Sequence, residues 1–413
     1  MKLIGPFKQL LTMDNLPLKG ALTDDKLEII PDAGVLCSNG QIIKIGNFKD
    51  LERGYNPTEV QRLNTSYVAL PGFIDAHTHI CWAGSRADDF NKRLQGLSYL
   101  EIANQGGGIW KTVNDTRKAD ESELVELIAG RANELLRQGV TVIEVKSGYG
   151  LSTEHELKIL KSIKKAKEGT SAELISTCLA AHVLPSDFKG NETQYLDNII
   201  RELLPQVSKN NLSSRVDIFV DKGAFKEEDA EIFLNKVKSL GFDIIIHGGQ
   251  FSSGIAGLAR RVGALSIDHL ESANDADIKI LSRSDVFPVV LPGSSLGLGE
   301  PFAPARKILD SGASLVIASD WNAGSAPMGN LITEASVLAI KEKLTTAEVF
   351  SAITYRAAAA LKLNERGIIK EGFPADIVAF KVDNYKEILY NQGRLAPVYV
   401  WKKGFSVVNK TRN

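Results

Sequence analysis

The sequence predicts an α/β protein: a (β/α)8 TIM-like barrel carrying a small β-sandwich domain made from both chain termini. Three observations predict it. Eight short apolar runs alternate with amphipathic helical stretches through the middle of the chain. The two ends read instead as strands and turns. The total of 413 residues leaves room for one barrel of about 300 residues and one small accessory domain.

Roughly the first 68 residues lack long helical patterns. Val35 to Ile45 reads as two strands around Asn39-Gly40, a dipeptide that suits a two-residue hairpin turn. The apolar runs then follow at Val68–Ala76, Val140–Val145, Leu174–Ala181, Val216–Val220, Asp243–Ile246, Ala264–Ile267, Val286–Leu291 and Leu315–Ala318. Helix-like stretches separate them, among them Glu121–Arg137, Glu154–Lys167 and Glu227–Leu240. Continuous apolar strands between helices indicate a parallel sheet covered on both faces. A doubly wound open sheet has the same periodicity; the count of eight favours the barrel. Gly367–Ile369, Ala375–Phe380 and Pro397–Trp401 are again strand-like. The expected division is therefore 1–68 with 364–413 as a composite β domain and 69–363 as the barrel.

Composition excludes several classes. With 49 Lys+Arg against 50 Asp+Glu, the net charge of -1 supplies no basic excess for nucleic acid. Cys37, Cys81 and Cys178 form no CxxC and cannot all pair, which suits a reducing cytoplasm. No run of roughly 18 apolar residues can span a membrane, and Lys2, Pro6 and Lys8 interrupt any leader. A soluble cytoplasmic protein with no nucleic-acid or membrane partner is expected.

In a barrel of this kind, chemistry sits where strands end. His77 and His79 follow the first middle strand, and alternation along an extended chain turns both to one side. His247 ends Ile244–Ile246, His269 ends Ile267-Asp268, His182 follows Cys178–Ala181, and Asp320 follows Leu315–Ser319. Five of six histidines thus fall at strand ends, so isolated core hydrogen bonding is a poor explanation. His155, at a helix start, reads as surface. Imidazoles with one carboxylate and a water form a hydrolytic metal site, for which Zn²⁺ or Fe²⁺ is suited.

His77-x-His79 after Pro71-Gly72-Phe73-Ile74-Asp75, with His247, His269, Asp320 and the closing Gly372-Phe373-Pro374-Ala375-Asp376, resembles the amidohydrolase superfamily. Gly106–Ile109, Glu144–Leu151, Ala180–His182, Asp268–Glu271 and Asp320–Pro327 are similar to its branch that opens the imidazolone ring during histidine degradation. That resemblance implies one divalent ion, zinc or iron, on His77, His79, His247 and Asp320. It implies water, activated at the metal, attacking the ring carbonyl of 4-imidazolone-5-propanoate to give N-formimino-L-glutamate. Arg86 would grip the propanoate, and Tyr149 and His182 would contact the ring and its carbonyl. Gln250 would read ring nitrogens, Asn322, Gly324 and Ser325 would line the pocket, and His269 would orient the water. His269, Asp320, His182 and Gln250 are the catalytic candidates. Each has a plainer reading: Arg86 as a loop partner of Asp88 or Asp89, Tyr149 as a turn residue, Asp75 as an orienting group. Tyr99, near the Gly106–Gly108 loop, is not counted among the contacts.

Gly249, Trp321 and Ala323 depart from the usual pattern, so no side chain at 249 can act and substrate preference is affected. The alternatives are another mononuclear amidohydrolase, such as a deaminase or cyclic amidase, or a non-catalytic metal-binding barrel. Dinuclear members use a modified lysine, for which Lys222 is the nearby candidate, read as solvated. The stretch Pro327–Lys341 is an interface candidate for a homodimer, although packing on the barrel explains it equally well.

Overall fold

The computed structural model describes residues 1–97, 101–102 and 105–410; Tyr99 lies outside them. Two sheets organise the chain. The first begins with β1 (Lys2–Leu11), β2 (Ile29–Ser38), β3 (Gln41–Asn47), β4 (Glu59–Arg62) and β5 (Val68–Pro71). The second is β6 (Phe73–Asp75), β7 (Val140–Lys146), β8 (Glu173–Ala181), β9 (Arg215–Val220), β10 (Asp243–Gly248), β11 (Ser266–His269), β12 (Phe287–Val290) and β13 (Val316–Ile317). The chain then returns to the first sheet through β14 (Ile377–Phe380), β15 (Tyr399–Lys402) and β16 (Phe405–Asn409).

β6 to β13 pair in sequence order and in parallel, with helices between successive strands. The sheet curls until its edges meet at a single parallel bridge, Thr78 to Trp321. Around that bridge the Asp320 amide donates to the His77 carbonyl and the His79 amide to the Trp321 carbonyl, each at 3.0 Å. This is the eight-stranded barrel that the alternating runs predict. The helix Glu121–Arg137 has the expected bounds, with Asp120 capping its first turn through the Glu123 amide. Its apolar stripe of Leu124, Ile128, Ala132 and Leu135 is buried, as its periodicity requires.

The other sheet runs β16-β15-β14-β5-β1-β2-β3, with β4 paired to β1. Phe7 of β1 and Trp401 of β15 lie three strands apart in that order, yet their rings meet edge to face at 5.9 Å. The sheet therefore folds over a core of its own, including Ile4, Val35, Tyr67 and Ile377. Asn39 and Gly40, with φ of 50° and 83°, make the tight turn between β2 and β3.

Two strand expectations change. The run Val68–Ala76 is not one strand: Val68–Pro71 pairs with β1 and β14, whereas Phe73–Asp75 pairs with β7. The break falls at Gly72, where a Cβ would run into Thr141. Gly367–Ile369 is not a strand; Ile369 makes one backbone bond, to the Thr12 carbonyl, and Gly367 turns at φ 72° against Thr354. The interface candidate proves to be the helix Leu331–Glu342, whose Leu331, Ile332, Ala335 and Leu338 pack inward while Ile340 is exposed.

Trp401→Ala removes the largest fully buried side chain from the curled sheet. It should lower the unfolding free energy by about 3–5 kcal/mol, read as an earlier chemical denaturation midpoint; an unchanged midpoint would show that this core does not stabilise the chain.

Candidate active site

The barrel seam is also where the strand-end residues gather. Past β6 the extended backbone continues through His77 and His79, held by the bonds to Asp320 and Trp321. Asp75 buttresses the crossing from below. It accepts from the Ser319 amide at 3.1 Å, the Ser319 hydroxyl at 2.5 Å and, at 3.5 Å, the His77 amide. This is the orienting role anticipated for it.

Four side-chain atoms converge above the seam. Nε2 of His79 lies 3.2 Å from Nε2 of His77, 3.4 Å from Nε2 of His247 and 3.4 Å from Oδ1 of Asp320. His77 Nε2 and Asp320 Oδ1 are 3.5 Å apart. A tetrahedral shell with ~2.1 Å bonds has edges of about 3.4 Å. The donor set, its spacing and its complete burial therefore fit a divalent ion of zinc type.

The charges support the same fit. Burial works to raise the Asp320 carboxyl, but His77 and His79 outweigh it and hold it well below the usual range. Burial lowers His79 and His247, the latter strongly, with neighbouring cations adding to the effect. Burial and Lys146 oppose the charged form of His77, yet hydrogen bonds to Asp268 and Asp320 raise it to about 9. One proton thus sits where three imidazoles and a carboxylate meet.

Two of the expected substrate residues, Tyr149 and His182, pack beside this point. Tyr149 and His182 lie 5.9 Å apart by ring centre, and His182 stacks on His79 at 5.6 Å. Tyr149 is held by a loop whose Gly148, Gly150 and Leu151 amides all donate to Glu156. The glycines let the backbone wrap closely around that carboxylate. Arg86 is buried; its Nε pairs with Asp89 and its Nη1 donates to Thr112 at 3.3 Å. Asp89 is fixed in turn by the Gly108 amide at 2.8 Å. A Cβ at Gly324 would come within 2.9 Å of Arg86 Nη1, so only glycine leaves this approach open.

Asn322 is occupied locally. Its amide nitrogen donates to the Asp320 carbonyl and Ser325 hydroxyl, and its oxygen accepts from the Gly324 and Ser325 amides. It shapes the loop that carries Ser325, whose Oγ is 3.4 Å from Asp320 Oδ2. Gln250 donates to Ser294 at 3.2 Å, and Asp221 holds its backbone amide at 2.8 Å. Gly249 has φ 80°, which explains its identity: a side chain there is strained and would meet Leu270.

The reading of His155 changes, and His182 and His269 gain detail. His182 has Nδ1 3.1 Å from the Gly148 carbonyl. A carbonyl only accepts, so Nδ1 carries the proton. Burial, then His79, lowers its pKa to about 3, which leaves Nε2 as an acceptor. His155 is half-buried, with Nδ1 2.8 Å from Ser152 Oγ, rather than freely solvated. His269 adopts φ 94°, uncommon for a side-chain-bearing residue, and its Nδ1 is 3.3 Å from Glu271. Burial opposes its charge, but Glu271 raises its pKa.

Sequence reasoning missed a buried ionic layer beneath the convergence. Asp268 lies 2.6 Å from His77 Nδ1, Asp217 lies 2.9 Å from His247 Nδ1, and Lys146 reaches both acids. Alternation could have found part of it, because Glu144 and Lys146 share one face of β7. Lys222, the candidate for a bridging lysine, is exposed.

Comparison with known proteins agrees with this geometry. The amidohydrolase family matches residues 68–409. The imidazolonepropionase of Christiangramia forsetii is 40% identical over 362 residues, 86% of this chain and 87% of its own. That of Thermoanaerobacter pseudethanolicus is 35% identical over 394 residues, 95% and 94%. Among solved structures, a zinc-bound adenosine deaminase from Xanthomonas campestris superposes with TM-score 0.72 at 18% identity, covering 99% of this chain and 93% of that one. The zinc complex of atrazine chlorohydrolase from Arthrobacter aurescens gives 0.68 at 16%, with 99% and 95% covered; these two speak for the fold alone. The chain belongs to the amidohydrolase family, and within it groups with the imidazolonepropionases.

Because His77 is held at about 9 without an ion, binding must displace its proton. Apparent zinc affinity should rise about tenfold per pH unit between about pH 6 and 8, measured by chelator competition. A flat profile would remove this proton from the site.

Proposed function

We propose that this chain hydrolyses the ring of 4-imidazolone-5-propanoate to N-formimino-L-glutamate, holding one divalent ion, zinc or iron, on His77, His79, His247 and Asp320. The observation that carries the reading is the convergence of those four side chains at one point, with Arg86 at the rim. The imidazolonepropionase relatives, similar over most of their length, supply the substrate.

A bound divalent ion would supply Lewis acidity at the ring carbonyl and lower the pKa of water to roughly 7. The chain's own residues do the rest. Asp320 turns Oδ1 toward the imidazoles and keeps Oδ2, on the Ser325 side, to receive a proton from the attacking water. His269, at the end of β11 and held by Glu271, orients that water. Water oxygen bonds to the carbonyl carbon, the ring C–N bond breaks, and the departing nitrogen takes the proton. Addition of one water balances the conversion.

Recognition divides by charge. The Arg86 fork takes the propanoate, with Asp89 holding the Nε edge so that the guanidinium need not be ordered on binding. The His182 Nε2 acceptor and Gln250 Oε1 face ring N–H groups, while Tyr149, kept protonated by burial, donates. Since Gln250 cannot carry a proton, Asp320 and His269 do so.

Purified protein should consume the substrate, followed as loss of the imidazolone absorbance, and stop after metal removal. Absence of turnover by metal-loaded protein would sink the assignment. Arg86→Ala gives up a charge-assisted interaction of about 2 kcal/mol, so KM should rise about 30-fold with metal content unchanged. An unaltered KM would remove Arg86 from carboxylate recognition.

A further inference from the structure

Lys146 ends β7 with no solvent exposure, beneath the point where the imidazoles converge. Its ammonium lies 3.0 Å from Glu144 Oε1, 2.9 Å from Asp217 Oδ2 and 3.3 Å from Asp268 Oδ2. The same two aspartate oxygens lie beside imidazole nitrogens: Asp268 Oδ2 is hydrogen-bonded to His77 Nδ1 at 2.6 Å, and Asp217 Oδ2 is 2.9 Å from His247 Nδ1 as an ion-pair contact without hydrogen-bond alignment. One cation from β7 therefore ties together acids on β9 and β11 and, through them, histidines on β10 and beyond β6.

We propose that Lys146 is a positioning residue for the metal site: its ammonium clamps Asp217 and Asp268, so that Asp268 accepts the His77 Nδ1–H and Asp217 is kept beside Nδ1 of His247, which turns Nε2 of both rings toward the ion. The inference rests on the metal reading given above. An imidazole can carry its proton on either nitrogen, and the partner of the far nitrogen decides which. A carboxylate can only accept, so it selects Nδ1–H and leaves Nε2 to coordinate. Two acids directed at one buried point repel one another, and a carboxylate with no counter-charge can rotate away from its imidazole. The ammonium removes both freedoms at once, because it bonds the very oxygen that faces each ring. Glu144, two residues before Lys146 on the same strand face, holds the ammonium at its third side.

The test uses the full chain with Lys146→Met, which keeps length and removes charge. Two quantities are read: zinc affinity by chelator competition, and the ring tautomers of His77 and His247 by ¹⁵N NMR in metal-free protein held above the His77 pKa of about 9, where both rings are neutral. Zinc affinity is expected to fall about 10–100-fold, with the single Nδ1–H form at both rings replaced by a mixture. Should Lys146→Met fail to fold, Asp217→Asn and Asp268→Asn keep the ammonium and carry the same test, each expected to disturb only its own histidine. A Lys146→Met protein with wild-type affinity and unmixed tautomers overturns the proposal. So do two Asn variants that both bind zinc as tightly as the unaltered chain. The tautomer readout needs no metal, so it judges Lys146 even if the unaltered chain binds no zinc, a result that would defeat the metal reading instead.

Discussion

Closing the barrel is the constraint from which the site follows. A parallel sheet of eight strands has two free edges, and each unpaired amide or carbonyl buried there is costly. In this chain the edges join through residues 77–79 and 320–321, not through β6 and β13 themselves. The bonds that seal the sheet are made by the backbone of His77, His79 and Asp320. Their side chains consequently project from the seam into one small volume. Asp320 reaches this position at φ 54°, a strained conformation held by Asp75, Ser319 and the Trp321 amide on the Ser319 hydroxyl. Arg131 reinforces the rim by donating to the Ile80 and Trp82 carbonyls while stacking on Trp82, which packs against Trp321. The bulk of Trp321 has a structural use there.

Around the seam, buried charge is arranged in layers. Asp75 lies under the backbone crossing, pushed up to about 6 chiefly by burial. The acids of β9 and β11 sit behind two of the imidazoles, and Asp320 stands among them. A net charge of -1 over the chain says little about this interior. Removing any one member of such a cluster leaves its partners buried without compensation, which costs far more than a surface pair. At the rim the logic differs. Arg86 and Asp89 form a local pair anchored to the Gly108 amide, which aims the guanidinium without involving the seam.

Particular residues show how much was legible. His77, His79, His247 and Asp320 stood out with His182 and His269 because each follows an apolar run and strand ends share one face of a barrel; the family resemblance picked the four as the ligand set. Arg86, Tyr149 and Gln250 could be singled out by motif; of these, Tyr149 packs beside His79 with ring centres 5.9 Å apart. That the Gly148–Leu151 loop closes on Glu156 could not be read, because glycine spacing records backbone freedom and not what the backbone encloses. The proton on His182 depends on a carbonyl 34 residues earlier in the chain. The break of Val68–Ala76 at Gly72 was hidden because both halves are fully buried and equally apolar.

Alternating periodicity by itself pointed to the barrel and to a small β domain from both termini, and strand-end position singled out five histidines and Asp320; the family resemblance chose the four converging side chains among them. These are local properties: hydrophobic period sets the element, and chain order sets the parallel sheet. Only the tertiary structure decided which carboxylate stands behind which imidazole, and that one lysine reaches two of those acids. Those choices arise from contacts between strands far apart in sequence, where burial makes every unmatched proton or charge expensive.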